Sequence, residues 1–309
     1  RGGHGVIGVE MKKEQDTVKD VYSASTHDTL LLFTTLGRCY WLKVWQIPEG
    51  SRRSKGKPLI NLLEDLRPDE KIATILKVKN FEDQASIFMA TAQGVVKKTD
   101  LSNFNNPRRK GVYAINIDEG DAVIAARLVS GDDQIMLFTR GGMAVRFNHT
   151  QVRDMGRVAR GVKGAQLKSA DDKVISCEVV KEGDSVLIVC ENGFGKRSLV
   201  EDFRQTNRGG VGVRSIITSE RNGSVVAGIN VKDDDSVLLM SNVGQTVRIS
   251  MRDVRVMGRS TQGVNLVKLP ESTLLIAVQK LESSDDKDLK VDEGDIVDVT
   301  PINPEQEPS

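Results

Sequence analysis

Aromatic side chains make up only 4% of the 309 residues, which weighs against a protein-interaction surface built on aromatic hot spots. Cysteine is equally sparse. Cys39, Cys177 and Cys190 are widely spaced, form no CxxC pair and sit in apolar, strand-like runs, which reads as buried free thiols in a reducing compartment. The three histidines, His4, His27 and His149, are too far apart in sequence to show metal-ligand spacing, so no zinc site is expected. No GxxxxGK[ST] loop is present for a nucleotide triphosphate. Apolar runs are short, as at Leu30–Phe33, far from the ~18–20 residues of a membrane-spanning helix. A signal peptide is also missing, but a chain that opens on Arg1 reads as a fragment, so this says little about export.

What is present is a hidden charge asymmetry. Overall the chain carries only +1, yet from Glu282 to Ser309 ten acidic residues face Lys287 and Lys290, a net −8 that leaves +9 on residues 1–281. A basic body beside an acidic tail points to an anionic partner. The tail lacks aromatics and is rich in acid and proline, so residues 282–309 are expected to be disordered. Two roles stand open for it, as a solubilising tail or as a competitor for the anion-binding surface of the body.

The body is a repeat. Five segments share an apolar run, a glycine turn and a strand with a basic residue, and they begin "DTLLLFTTLG", "ASIFMATAQG", "DQIMLFTRGG", "DSVLIVCENG" and "DSVLLMSNVG". Their turn glycines, Gly37, Gly94, Gly142, Gly193 and Gly244, are 57, 48, 51 and 51 residues apart, and the pattern predicts hairpins. A basic, glycine-containing turn recurs after each hairpin. With the opening "RGGHGVIG" these turns align on Gly5, Gly56, Gly111, Gly161, Gly212 and Gly263. A further β-branched strand follows each turn, giving about four short strands per unit. Six such units over residues 1–281 predict an all-β, six-bladed propeller-like toroid, with the first blade incomplete because its hairpin would precede Arg1.

Cations recur once per unit. On the second hairpin strands stand Lys97 with Lys98, Arg146, Lys196 with Arg197, and Arg248; the first unit has Trp41 at that place, with Arg38 and Lys43 nearby. On the turns stand Arg52, Arg53, Lys55 and Lys57, then Arg108, Arg109 and Lys110, then Arg157, Arg160 and Lys163, then Arg208 and Arg214, then Arg255 and Arg259. Acids gather instead in loops such as Glu119–Asp121 and Asp233–Asp235. Solvated outer strands often carry lysine and arginine, but a blade-periodic cation maps onto one rim of a disc as a curved basic belt. Such a belt suits the phosphates of duplex DNA, where roughly 6–10 contacts make affinity fall steeply with salt. The glycines of the turns would let backbone amides approach the phosphates closely. With no recognition helix and few Asn or Gln among the clusters, little base specificity is expected.

These residues resemble the C-terminal domain of the DNA gyrase A subunit over essentially all of residues 1–281. The opening "RGGHG" is similar to the last five positions of that family's basic box, Q-R-R-G-G-R/K-G, with His4 where Arg or Lys is usual. The stretches "VRDMGRVARGVKG", "SERNGSVVAG" and "VMGRSTQGVNLVKL" are also typical of it. The resemblance implies a six-bladed β-pinwheel that wraps duplex DNA around its perimeter, with Arg1, Gly2, Gly3, His4 and Gly5 required for wrapping. It further implies a parent bacterial enzyme, an A2B2 assembly with the gyrase B subunit in the cytoplasm, that introduces negative supercoils with ATP. The chain itself is expected to be non-catalytic, monomeric and without cofactor, with ATP and Mg belonging to other parts of the parent. Tyr22, Tyr40 and Tyr113 read as packing residues rather than strand-cleaving nucleophiles. Two alternatives remain, the equivalent domain of topoisomerase IV and a protein-interaction propeller of the chromosome-condensation-regulator kind.

Overall fold

The computed structural model describes residues 24–50, 58–63 and 65–281. The opening segment with Arg1–Gly5, the cations Arg52, Arg53, Lys55 and Lys57, and the acidic tail all lie outside the described residues.

Each hairpin run is apolar at successive positions rather than at alternate ones, because both faces of its sheet are covered. In the first hairpin, strands Thr29–Thr34 and Arg38–Lys43, Leu31 and Phe33 face the second hairpin and meet Ile87, Met89 and Phe104. Leu30 and Leu32 point the other way, onto Tyr40, Leu42 and Leu63. The second hairpin, Ser86–Thr91 and Val95–Asp100, splits in the same manner, sending Phe88 and Ala90 to Ile135, Leu137 and Phe147 of the third. Met136 and Phe138 of the third hairpin meet Val186 and Ile188 of the fourth, and Leu187 and Val189 meet Val237 and Leu239 of the fifth. The core is thus a series of inter-blade layers.

A third strand pairs with the first strand of each hairpin. These strands are Ile72–Val78, Val123–Val129, Val174–Val180, Val225–Val231 and Leu275–Leu281. They pack on one another in succession, so they are the inner strands where blades converge. Every blade also carries a register shift near the end of this pairing, such as that between Phe33 and Thr34, which adds twist where the blades crowd together.

The fourth strand does not come from its own unit. Val112–Tyr113 pairs with Arg38 and Cys39 of the first blade although it follows the second hairpin. Val162–Lys163, Val213–Arg214 and Val264–Asn265 each pair in the same way with the second hairpin strand one blade back. Each of the second to fifth sequence units supplies four strands, as expected, but divides them between two blades. The blade count differs as well. Among the described residues there are five sheets, four of four strands and a fifth of three, so six blades are not shown.

The turn glycines serve this exchange. Gly161 has φ +94°, and a Cβ there would lie 2.5 Å from the Val96 carbonyl oxygen of the preceding blade. Gly142, in a hairpin turn, has φ +83° and would meet the Ile216 oxygen at 2.5 Å. The close approach expected of these glycines is toward the backbone of a neighbouring blade. Gly161→Ala is expected to cost on the order of 1–3 kcal/mol from left-handed strain alone, lowering Tm by roughly 3–10 °C. Gly156→Ala, at a site with open space and no positive φ, should leave Tm unchanged in the same thermal melt.

Candidate nucleic-acid interface

With the inner strands at the convergence, the two-residue fourth strands are the perimeter, and the basic turns run directly into them. Each hairpin ends in a 3-10 turn, as at Leu101–Phe104, His149–Gln151, Val200–Asp202 and Met251–Asp253. The side chains of Asp100, Asn148 and Ser250 cap three of these turns by accepting from the amide two residues on. From there the chain passes over the edge of the preceding blade.

Successive turns are tied together by their own backbone. The Asn116 amide donates to the Ala159 oxygen at 3.1 Å, Gln166 to Gly210 at 2.8 Å, Gly209 to Gly164 at 2.6 Å and Ile217 to Thr261 at 2.9 Å. Arginine side chains follow the same path. Arg157 donates to the Asn103 carbonyl, Arg208 to Lys163 at 3.0 Å and Arg259 to Arg214 at 3.4 Å. The turns of the second to fifth units therefore form one hydrogen-bonded strap along the perimeter.

Exposed on or beside this strap are Arg108, Arg109, Lys110, Arg160, Lys163, Arg214 and Arg255, while Arg157, Arg208 and Arg259 are half-buried. Lys43, exposed, and Arg248, half-buried, stand on the second strands of the first and fifth hairpins. Arg160 pairs with Asp118 in an exposed ion pair, the kind that water and salt weaken readily.

This architecture can be compared with known proteins. Residues 1–25, 28–79, 85–130, 133–181, 184–238 and 235–279 match the profile of the family described as DNA gyrase C-terminal domain, beta-propeller. The chain belongs to this family. It is 61% identical over 289 residues to the DNA gyrase A subunit of Chlamydia pneumoniae, covering 93% of the chain but 35% of that relative. The chain thus spans about a third of the length of the curated relatives it matches. A structure of the DNA gyrase A C-terminal domain aligns with TM-score 0.73 and 26% identity, over 91% of this chain and 93% of that one. The crystal structure of the C-terminal domain of DNA topoisomerase IV aligns with TM-score 0.76 and 26% identity, over 84% and 81%.

In this gyrase-family chain the strand cations are not where the sequence reading places them. Arg38, Lys97, Lys98, Arg146, Lys196 and Arg197 are buried, each at 6% exposure or less. Three of them, with Trp41, bind the next blade. At the fourth position after the hairpin glycine, Trp41 Nε1 donates to the Phe104 oxygen at 2.8 Å, and Arg146 Nη1 donates to both Val200 and Phe203 oxygens at 3.0 Å. Arg197 Nη1 reaches the Met251 oxygen at 3.2 Å. Lys98 Nζ lies 3.5 Å from His149 Nδ1, and the other ring nitrogen is 3.0 Å from the Gly131 oxygen. That pairing puts the neutral imidazole's proton on Nε2 and leaves Nδ1 to accept from the ammonium. Arg38 holds Glu70 at 3.1 Å and the Lys110 carbonyl. The cause is the carbonyl-rich 3-10 turn of the following blade: the Phe104 and Phe203 oxygens gain a donor in this way, and the Val200 and Met251 oxygens, which already accept from the Phe203 and Val254 amides, gain a second.

Arg153 and Arg204 were missed by the sequence reading. They are exposed and stand where Arg255 stands in the fifth unit, each four residues before Arg157, Arg208 and Arg259 respectively. The signal was legible as R-x-x-x-R recurring every 51 residues.

Remaining groups are quiet. The three cysteines are free and buried, with burial pushing the Cys177 and Cys190 thiols up to about 12. Tyr40 is buried and donates to the Asp65 oxygen, whereas Tyr113 is exposed and its hydroxyl accepts from Arg67. No cluster of metal-ligand residues is present among the described residues, and no described helix is long and apolar enough to cross a membrane.

Arg146→Met should strand the buried Phe203 carbonyl and take the second donor from that of Val200, costing about 1–3 kcal/mol, read as a drop in Tm. Arg255→Ala, which removes an exposed side chain, should leave the same melt unchanged.

Proposed function

We propose that this chain binds duplex DNA along the perimeter strap and bends it around the blades with little sequence preference. The observation that carries the reading is the strap itself. Backbone hydrogen bonds join turn to turn, and each turn presents arginines or lysines outward at a spacing set by the blade repeat. A rigid curved row of cations neutralises phosphates without reading bases, and many weak contacts offset the cost of bending. Membership of the gyrase C-terminal domain family supports the larger role. Wrapping would present a neighbouring duplex to the cleavage gate of the parent enzyme and give ATP-dependent negative supercoiling its direction, with gyrase B as partner in the cytoplasm. The box residues Arg1, Gly2, Gly3, His4 and Gly5 join this reading through the family resemblance, as do Arg52, Arg53, Lys55 and Lys57 through the repeat.

The equivalent topoisomerase IV domain is a poorer reading. Its fold aligns equally well, but the 61% identity is to a gyrase chain.

The test is binding to duplexes of unrelated sequence across a salt series. Affinity should be alike for all of them and fade by roughly 0.3–0.5 M salt. Joint alanine substitution of Arg153, Arg204 and Arg255 should weaken binding uniformly across sequences. It should also reduce the slope of log K against log salt by roughly three units, about 0.9 per lost phosphate contact. Preference for one sequence, or a slope unchanged in the triple variant, defeats the reading. Ligation of nicked minicircles around the chain should trap writhe.

A further inference from the structure

Lys97 and Lys196 are fully buried, and both stand at the third position after a hairpin glycine. The other three hairpins place Tyr40, Val145 and Val247 there. Lys97 Nζ donates to the carbonyls of Ala114 and Arg157, the latter at 2.6 Å. Lys196 Nζ donates to the carbonyls of Gly258, at 3.0 Å, and of Arg259. Arg157 and Arg259 occupy the same place in the strap turns of the third and fifth units. Arg208, their equivalent in the fourth unit, has no lysine beneath it. Its turn is held through Gln151, which accepts from the Arg208 amide at 2.9 Å and from Nε at 3.1 Å.

An inward carbonyl has an outward consequence. In a trans peptide the next residue's N–H points opposite the C=O, and no cis peptide is present among the described residues. The amides of Val158, Arg259 and Ser260 are therefore turned away from the two ammonium groups, and Val158 is 73% exposed. At these points the strap hides acceptors and turns donors outward, an arrangement that suits a phosphate and carries no base information.

We infer that Lys97 and Lys196 are positioning residues for the DNA-contacting turns of the third and fifth units, gripping from inside the carbonyls that orient Arg157 and Arg259. The inference rests on the reading of the perimeter as the DNA surface. It assigns two cations, expected from the sequence to touch DNA, to the shape of the surface that does.

Protonation gives the grip a distinctive readout. Burial pushes Lys97 down to about 7, aided by the nearby Arg157 guanidinium. Lys196 is pushed down to about 8, again by burial, with Arg259 lowering it further and Asp202 and Cys190 opposing. Raising the pH through this range removes charge from the two holds, and binding to DNA should weaken. Fold stability should move the other way. The folded-state values lie below the unfolded 10.5, so between about pH 7 and 10.5 the unfolded chain carries more protons and the contribution of these two groups to stability rises with pH.

The experiment measures affinity for a labelled mixed-sequence duplex at about pH 7 and about pH 9, with Tm beside it, for the natural chain and two double variants. The natural chain should lose about three- to tenfold in affinity over this interval while its Tm does not fall. Lys97→Met with Lys196→Met should already be weakened at pH 7 by about the same factor and respond little to pH. Lys97→Gln with Lys196→Gln, which keeps a donor that does not titrate, should bind between the two and be equally flat. Without DNA, trypsin should cut after Arg157 and Arg259 faster in the methionine variant. A natural chain whose affinity is flat between these pH values overturns the inference, as does a folded methionine variant with natural affinity, pH response and cleavage rate. Should the methionine variant not fold, the natural chain's pH profile and the glutamine variant decide. If the natural chain binds no duplex at low salt, the DNA reading fails instead, and the cleavage rates alone judge whether the lysines hold the turns.

Discussion

Burial of apolar side chains between successive blades is the constraint from which the other features follow. A four-stranded blade with Leu31 and Phe33 on one side and Leu30 and Leu32 on the other cannot stand alone in water. Each face needs a cover, which the second blade supplies for Leu31 and Phe33 and the segment with Leu62, Leu63 and Leu66 supplies for Leu30 and Leu32. Apolar burial at about 25 cal/mol per Å² makes this stacking the main source of stability. It also forces the polar ends of each hairpin into the joints between blades.

Those joints explain the chemistry of the buried cations. A 3-10 turn packed against the next blade presents carbonyls with few intrahelical partners, and a long cation can reach several of them at once. Arg146 does this for its 3-10 turn and Lys97 and Lys196 for the strap, while Arg197 reaches the Met251 carbonyl. Glu182 lies 3.6 Å from Arg146, Asp154 3.7 Å from Lys98 and Asp233 2.5 Å from Arg197, each from the exposed side. Such half-exposed carboxylates soften the cost of burying charge without closing the site to solvent. The positive charge of the body is thus divided between an interior set that fastens blades and an exterior set carried by the strap.

The exchange of outer strands joins the two sets. Because Val162–Lys163 belongs to the turn of one unit and the sheet of another, a turn cannot move without disturbing both blades. The glycines at Gly161 and its equivalents are required for that crossing, since a side chain there would strike the neighbouring backbone. A surface built this way holds its cations at fixed spacing along a curve, which is the property that non-specific wrapping of a stiff duplex demands.

Much of this was legible in the sequence. Glycine spacing and the recurring apolar runs give the hairpins, the repeat length and the all-β class, because turn chemistry and the length of an apolar run are local properties. The R-x-x-x-R interval even marks Arg153 and Arg204. What the sequence left open were relations between units. Nothing local distinguishes Arg146, which faces a neighbour's carbonyls, from Arg255, which faces water, since each follows a valine. Likewise, a two-residue strand such as Val112–Tyr113 carries no sign of which blade it completes. By itself the sequence determined that the chain repeats, where it turns and that its body is basic. Only the tertiary structure decided which cations point inward, because that depends on which unsatisfied carbonyls the next blade brings within reach.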